Sequence, residues 1–495
     1  MSDERNERFE EKDIAPDLAV TETPSPEDPA NEEMPEEAAA EETASNEATP
    51  EAPAKKAKKK LTKKRLALRI VLCTLGTLLL IVAGYLIYVF ASYHRIPDNV
   101  ELTPQPNPGA YLAMDRGAPE RITVEPGDRT YTIMTYNIGF GAYTPDYSFF
   151  MDGGKYSWAR SKDGLRENLI SIAKMIQGYD PDFVVLQEVD TDGTRTYHVD
   201  EVEYMCAMDY YQHVFAENFD SPFLFWPLLE PHGANKSGIL TLSKAFIGSA
   251  LRRSLPVANS VTKIVDYDRC YSISRIPLGD VDPGALLAIP DDTSGAGSSD
   301  ASTGSSGATA SRELVIFNVH LSAYSTDAVR EAQLSMLFED MQAEYAKGNY
   351  VICGGDFNHN LRYGNASSEN VPGWAQPFPR EALPSNFSFG FGLPGTKIWM
   401  YDRAPTEEEK AEFEKSMQEH EKMAEKGKWP PVINIEHDSC RNADEAYNPD
   451  TTFTVLADGF IVSDNIEVVY YESIDLQYAY SDHDPVIMEF RLLAD

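Results

Sequence analysis

The sequence predicts an α/β (α+β) globular region preceded by a disordered tail and a single transmembrane helix. Three observations predict it. Short apolar runs recur from about Arg121 to the C-terminus with helical patterns between them; a long charge-free run precedes this region; and the composition changes abruptly before that run.

The tail comes first. Met1 to about Ala54 is rich in Glu, Ala, Pro and Thr and nearly lacks aromatics, so it cannot bury enough apolar surface to offset chain entropy. It is expected to be disordered. A basic block then follows, made of Lys55, Lys56, Lys58, Lys59, Lys60, Lys63, Lys64, Arg65 and Arg69. Residues 1–69 are therefore expected as a cytoplasmic acidic tail ending in positive charge.

Ile70 to Ala91 carries no charged residue and is dominated by Leu, Ile and Val. At about 1.5 Å per residue such a run crosses the roughly 30 Å hydrocarbon core of a bilayer. A cleaved signal peptide would have a shorter apolar region, of about 7–15 residues, and a buried core helix would rarely stay charge-free for this length. Residues 70–92 are thus expected as a transmembrane helix, with Tyr85, Tyr88 and Tyr93 near its distal interface. The basic block precedes the helix, so the N-terminus is expected to stay in the cytoplasm and the bulk of the chain to lie outside.

Residues 93–120 hold several prolines and little periodicity and read as a stalk. Residues 121–495 read as one catalytic domain. Its strand-like runs are Tyr131–Tyr136, Phe183–Leu186, Gly238–Leu242, Leu314–Val319, Tyr350–Cys353, Phe460–Val462 and Val486–Phe490, and its helical patterns include Leu165–Ile176 and Thr326–Tyr345. Two insertions interrupt it. Residues 291–310, nearly all Ser, Gly, Ala, Thr and Asp, form an expected flexible loop; residues 405–428, dense in Glu and Lys, form an expected charged helical excursion.

With 79 acidic against 43 basic residues, the net charge is −36. Such a chain repels polyanions at long range, so strong non-specific nucleic-acid binding is not expected. The five cysteines show no C-x-x-C spacing, which argues against a zinc cluster or a dense disulfide framework; one bridge among Cys206, Cys270 and Cys440 stays open.

The chemistry sits just past the apolar runs, where ligand groups converge in α/β folds. Thr132–Gly139 ends in Asn137, an amide able to hold a metal or a phosphate oxygen. Asp182–Val189 ends in Glu188, a carboxylate suited to a hard cation. Leu314–Leu321 places His320 at a strand exit, where imidazolium can donate to a phosphate oxygen. Tyr350–Asn358 carries Gly354 and Gly355, which are expected to let the backbone approach a ligand, and then Asp356 and Asn358. Two apart on an extended chain, these last two are expected to point to one side, one orienting water and the other gripping phosphate. Finally, Tyr480–Val486 joins Asp482 to His483. The histidine is a natural general base because its ordinary pKa lies near neutrality, and Asp458 in the preceding run could fix its tautomer. Taken singly, the Asn-x-Gly, the strand-end Glu and the strand His have ordinary structural explanations.

In this order the segments resemble the endonuclease/exonuclease/phosphatase superfamily over nearly all of the chain from about Thr130: an Asn strand, Leu-Gln-Glu, Asn-x-His-Leu, Gly-Asp-Phe-Asn, Asp-Gly-Phe-Ile, then Ser-Asp-His-Asp-Pro. The resemblance implies a four-layer sandwich, two packed mixed β-sheets flanked by helices, with the site at one end of the sheets. It implies Glu188 as principal ligand of a Mg²⁺ (or Mn²⁺) ion, with Asn137 and Asp482 near that metal. By the same analogy Asp356 aligns the attacking water, Asn358 and His320 stabilise the phosphoryl oxygens, and His483, oriented by Asp458, moves the proton. An arginine-type substrate contact has no obvious position; Asn235-Lys236 is a candidate. The sequence departs at Gly459, where the family carries a bulkier neighbour of the aspartate, which puts the local packing in question.

The expected function is metal-dependent hydrolysis of a phosphoester bond outside the cytoplasm, by a phosphodiesterase, nuclease or phosphatase. The expected partners are a phosphoester substrate and, through one helix, the membrane. The alternative reading is an inactive ectodomain that binds a ligand or partner in the same cleft.

Overall fold

The computed structural model describes residues 62–107, 122–258, 268–279, 312–323, 325–362, 372–392 and 432–494. The acidic tail, most of the basic block, part of the expected stalk, and the insertions at 291–310 and 405–428 lie outside the described residues. By backbone contacts the chain divides into two units, Met1–Gly84 and Tyr85–Asp495.

In the first unit the described residues from Lys63 onward are helical. They open α1, Lys63–Ser92, which starts within the basic block. Among the described residues α1 is the one helix long and apolar enough to cross a bilayer.

The second unit holds two mixed sheets. The first runs in the order β1 (Val100–Leu102), β7 (Ser249–Ser254), β8 (Cys270–Pro277), β9 (Glu313–His320), β10 (Tyr350–Asp356), β15 (Asp458–Ser463) and β11 (Phe387–Phe389). The second runs β12 (Val432–Asn434), β16 (Ile466–Ser473), β17 (Val486–Leu492), β3 (Tyr131–Asn137), β4 (Phe183–Gly193), β6 (Asn235–Ser243), β5 (Gln212–Asp220) and β2 (Gln105–Pro106). A short ribbon pairs β13 (Cys440–Arg441) with β14 (Thr454–Val455). Parallel pairs β9–β10, β3–β4 and β12–β16 sit among antiparallel ones. Part of the expected stalk is therefore built into the fold, since β1 extends the edge of one sheet and β2 the edge of the other.

Strand alternation makes the layers. Tyr131, Ile133, Phe183 and Val185 belong to the core that also takes in Phe317, Ile352 and Phe460 of the first sheet. Met134, Tyr136, Val184 and Leu186 point the other way, onto α2 (Lys162–Tyr179), through Leu165, Leu169, Ile172 and Ile176. Ser161 caps α2 by accepting the Gly164 N–H at 3.0 Å, and the short α3 (Glu201–Cys206) lies beside it. On the first sheet, Leu334, Leu337 and Met341 of α4 (Asp327–Ala346) complete the stack. Helix, sheet, sheet, helix is the four-layer arrangement the motifs implied. Each predicted strand is present, as are the helices predicted over Leu165–Ile176 and Thr326–Tyr345, most of them longer than their apolar cores.

Gly354 and Gly355 have a different purpose from the expected ligand approach. A Cβ at Gly355 would lie 2.0 Å from the Val319 carbonyl oxygen, and one at Gly354 2.5 Å from the Phe460 ring. Both glycines make room for protein. At Gly459, where a bulkier residue was expected, the space is taken by the Tyr471 hydroxyl, 2.7 Å from where a Cβ would stand. Cys206, Cys270, Cys353 and Cys440 are buried, and none is in a disulfide.

Candidate active site

Both sheets end at one cleft. In the first sheet Asp356 stands in register with His320 on one side and Asp458 on the other, so three of the predicted residues form a single row. In the second, Asn137 is in register with Gln187, the residue before Glu188.

Simple alternation would send Glu188 to the helix side with Val184 and Leu186. A β-bulge prevents this. Leu186 pairs with Leu240 and Val189 with Gly238, so β4 carries one more residue than β6 between these points. Glu188 is that residue, with a left-handed φ of 53°, a strain worth roughly 1–3 kcal/mol that is typical of functional positions. Its carboxylate lines the cleft and accepts from Asn137 Nδ2 at 3.3 Å.

Asn137 Nδ2 also donates to Asp356 Oδ2 at 3.0 Å, while its Oδ1 accepts the Gly139 N–H at 3.0 Å. The amide therefore offers N–H groups to the cleft, and its oxygen is occupied by the turn that follows. Gly139 itself, at φ 53°, lies so close to Asp482 that a Cβ would come within 3.0 Å of Oδ1. Asp482 lines the same cleft.

Asp356 is fully surrounded. Oδ1 accepts the Asn358 N–H at 2.8 Å, and Oδ2 accepts from Asn358 Nδ2 at 3.1 Å. The expected extended spacing does not hold: β10 ends at Asp356, Asn358 has φ 48°, and its amide folds back onto Asp356 and the Leu321 carbonyl. His320 Nε2 is 3.5 Å from Asp356 and 3.8 Å from Glu188.

His483 Nδ1 meets Asp458 Oδ2 at 2.7 Å, and Nε2 faces Asp356 Oδ2 at 3.8 Å and Asn137 Nδ2 at 3.4 Å. The expected pair of Asp458 and His483 is thus in direct contact. Ser439, which carried no motif, sets Asp458 in turn: its hydroxyl donates to Asp458 Oδ2 at 2.8 Å and accepts the Ala457 and Asp458 N–H groups at 3.0 and 2.9 Å.

The electrostatics follow from burial. Desolvation raises the Glu188 carboxyl. It pushes Asp356 up to about 6, against the pull of His483 and with the charge of Asp458, and Asp482 up to about 7, where Glu188 adds repulsion. Burial alone would lower His483, but Asp458, Cys440 and Asp356 together hold it well above its ordinary value. His320 is held well below its ordinary value by burial and by the nearby charges of Arg269 and His483. Carboxylates crowded in a desolvated cleft are the donor set a hard divalent cation relieves. Asp356, Asp458 and His483 bring ligand atoms within 4.8 Å of one another, although Asp458 Oδ2 is already engaged by His483 and Ser439. Glu188 and Asp482 line the same cleft beside this group.

Sequence reasoning missed the cleft's arginines. Arg195 forks onto Asp190 at 2.9 and 2.7 Å and stacks 3.8 Å over Phe140, and Arg269 lines the cleft near Glu188 and His320. Neither has a local sequence signature: Arg195 sits in the short turn after β4, well past that strand's apolar run, and Arg269 directly precedes β8, which has no such run. Of the candidate pair, Lys236 turns to Asp220 at 3.2 Å on the surface, and Asn235 supports the Arg195 backbone at 3.1 Å.

The sequence profile of the endonuclease/exonuclease/phosphatase family matches residues 134–483. The chain belongs to that family. Its members hydrolyse phosphoester bonds, typically with divalent metals, and the acidic cluster of the family cleft can hold one here. A search of curated proteins found no match. Among solved structures, the chain is similar to an endonuclease/exonuclease/phosphatase from Beutenbergia cavernae, with 16% identity, 74% of this chain and 72% of that one covered, and a TM-score of 0.41. It is similar to a mannosyl-6-phosphatase of Bacteroides thetaiotaomicron at 14% identity, 73% and 99% coverage and TM-score 0.39. It is also similar to the human Nocturnin catalytic domain with bound sulfate, at 16% identity, 75% and 96% coverage and TM-score 0.37.

Proposed function

We propose that this family member hydrolyses a phosphoester outside the cytoplasm by attack of a water molecule, with one Mg²⁺ or Mn²⁺ ion bound through Glu188 and Asp482. The observation that carries the reading is the His483–Asp458 pair at 2.7 Å with its other nitrogen facing Asp356, in the same cleft as both proposed metal carboxylates. The bound ion would supply positive charge against the phosphoryl oxygens. Asn137 positions Glu188 and Asp356 through its N–H groups. Asp356 accepts a hydrogen bond from the attacking water and aligns it. The imidazole of His483, held by Asp458, handles the proton. His320 and Arg269 are the proposed contacts of the remaining phosphoryl oxygens, while Asn358, whose amide is engaged by Asp356 and the Leu321 carbonyl, holds Asp356 in place.

The extracytoplasmic location rests on the basic residues that precede α1 and the charge-free run within it. In this reading residues 1–69 are cytoplasmic, 70–92 span the bilayer, and the catalytic domain is outside. The net charge of −36 speaks against a processive nuclease. An inactive binding ectodomain is disfavoured because acid, base and metal groups are all retained.

The test is an assay of the full chain in detergent against DNA, RNA, sphingomyelin, inositol phosphates and cyclic dinucleotides across a metal titration. Turnover of at least one substrate that is abolished by chelation is expected. No turnover of any of them with Mg²⁺ or Mn²⁺ sinks the proposal.

A further inference from the structure

A loop between β5 and β6 exposes apolar side chains that a soluble surface would hide. From Ser221 to Leu229 it carries no charge. Phe225 is 52% exposed, Trp226 and Leu228 66% each, and Leu229 fully. On a chain with a net charge of −36, a contiguous patch of this kind marks a surface made to be covered.

Its neighbour identifies the cover. The loop packs on the last turns of α1, Tyr85–Ser92, which belong to the same compact unit. Tyr85 Oη accepts the Phe225 N–H at 2.9 Å and donates to the Phe223 carbonyl at 3.2 Å, and Tyr88 Oη accepts the Phe223 N–H at 3.1 Å. The Tyr85 and Phe225 rings meet edge to face at 6.1 Å, and Val89 and Leu224 bury each other. Tyr85 lies six residues before the end of the charge-free run at Ala91, about 9 Å along the helix at 1.5 Å per residue. Where that run spans hydrocarbon, a loop bonded to Tyr85 and Tyr88 lies in the outer part of that leaflet, within about 9 Å of the run's end.

The loop's backbone suits that depth. Leu224 exchanges both main-chain hydrogen bonds with Gly233, Trp226 O accepts the His232 N–H, and Pro227 has no N–H to satisfy. With the two tyrosine hydroxyls, these bonds satisfy the N–H groups of Phe223, Leu224 and Phe225 at the base of the loop. Tryptophan and phenylalanine are also the side chains that favour the interface.

We infer that the 221–229 loop enters the leaflet at the distal end of α1 and seats the cleft at the lipid surface. The cleft is close: His232, three residues after Leu229, packs on Phe149 at 6.0 Å, and both line it. The Glu230 carboxylate accepts the Ser157 N–H at 3.0 Å and the Pro231 carbonyl accepts from Trp158 Nε1 at 2.6 Å, which ties down the intervening segment. The chain is already tethered by α1, so the loop adds orientation more than affinity. Resting on the proposed hydrolase function, the inference names the substrate class: a phosphoester carried by a lipid headgroup.

The test uses the full chain reconstituted in phosphatidylcholine and phosphatidylglycerol vesicles with brominated acyl chains, which quench nearby tryptophan. Emission of the wild-type chain is expected to be quenched, and Trp226→Phe to lose that quenched component. Equal fractional quenching of the two chains overturns the docking. In unbrominated vesicles, Leu228→Asp with Leu229→Asp is expected to lower hydrolysis of lipid headgroup phosphodiesters at least about tenfold, while bis(4-nitrophenyl) phosphate turns over at the wild-type rate. An equal loss on both substrates overturns the lipid substrate class. If the wild-type chain hydrolyses neither, the hydrolase reading fails, and the quenching comparison still decides the docking.

Discussion

Gln187 Nε2 donates to Asn318 Oδ1 at 2.8 Å, joining the two sheets one residue before Glu188 and two before His320. Asn318 Nδ2 then donates to the carbonyls of Leu186 and Leu240, each at 3.1 Å. One buried asparagine thereby holds β9 against both β4 and β6. Asn318→Ala leaves these partners unsatisfied, at about 1–3 kcal/mol for the least well compensated group. A loss of roughly 3 kcal/mol in urea unfolding of the second unit is expected, with activity falling further than folding alone explains. A loss below about 0.5 kcal/mol would mean that the link is dispensable.

Glu188 offers a trade between stability and function. Its left-handed backbone suits glycine, and its carboxylate is desolvated in the metal-free protein. Glu188→Gly is expected to raise the metal-free unfolding midpoint or leave it unchanged, while abolishing turnover. A strongly destabilised Glu188→Gly variant would show that the bulge is held by the side chain itself.

The metal and proton roles separate by titration. Glu188→Gln keeps shape and removes charge, so part of its lost rate is expected to return at high Mg²⁺. His483→Ala is expected to lose about 10²–10⁴-fold with no recovery at any metal concentration. Asp458→Asn is expected to fall between, since the imidazole stays but its partner at 2.7 Å is weakened. Wild-type turnover by His483→Ala would end the mechanism proposed here.

Acid sensitivity follows from His213. Burial lowers its pKa to about 4, with Nδ1 2.7 Å from Asn107 Oδ1. The folded value lies below the unfolded one, near 6.5, so the unfolded chain takes up the proton first. The stabilising contribution is complete above pH 6.5 and is lost as the pH falls toward 4. His213→Gln is expected to flatten the stability profile across that window, measured by urea unfolding at several pH values. An unchanged slope would assign the acid lability elsewhere.

Topology is open to a direct measurement. In intact cells, added protease is expected to remove the catalytic unit and spare an epitope placed in the tail, because the basic block precedes the spanning run. Protection of the catalytic unit would reverse the orientation.

The strands legible in the sequence were those buried on both faces. β3, β9 and β10 read as apolar runs because helices or the opposite sheet cover each side, and the site residues stand where those runs stop. β8 was hidden because it buries Ser272 and Ser274, and β16 because Glu467, Tyr470 and Glu472 break its apolar pattern. The aim of Glu188 was not legible at all. It depends on one extra residue in β4, and a bulge has no composition of its own. Asn358 turned back for a similar reason, at a φ that spacing cannot report. Ser439 and Arg269 enter from segments with no apolar frame, so only the folded contacts reveal them.

The strands β1 and β2 change how the catalytic unit can be isolated. They lie between α1 and the expected start of the domain at 121, and they pair with β7 and β5, the outer strands of the two sheets. Arg252 binds the Pro97 carbonyl at 2.7 Å, and Asp98 receives the Ser254 N–H at 2.7 Å, so the attachment extends back beyond β1. A truncation at 121 would strip both edges in one cut and leave unpaired backbone open to strand addition by another molecule. A secreted version of this enzyme should begin upstream of Pro97, with the cover of both sheets left in place.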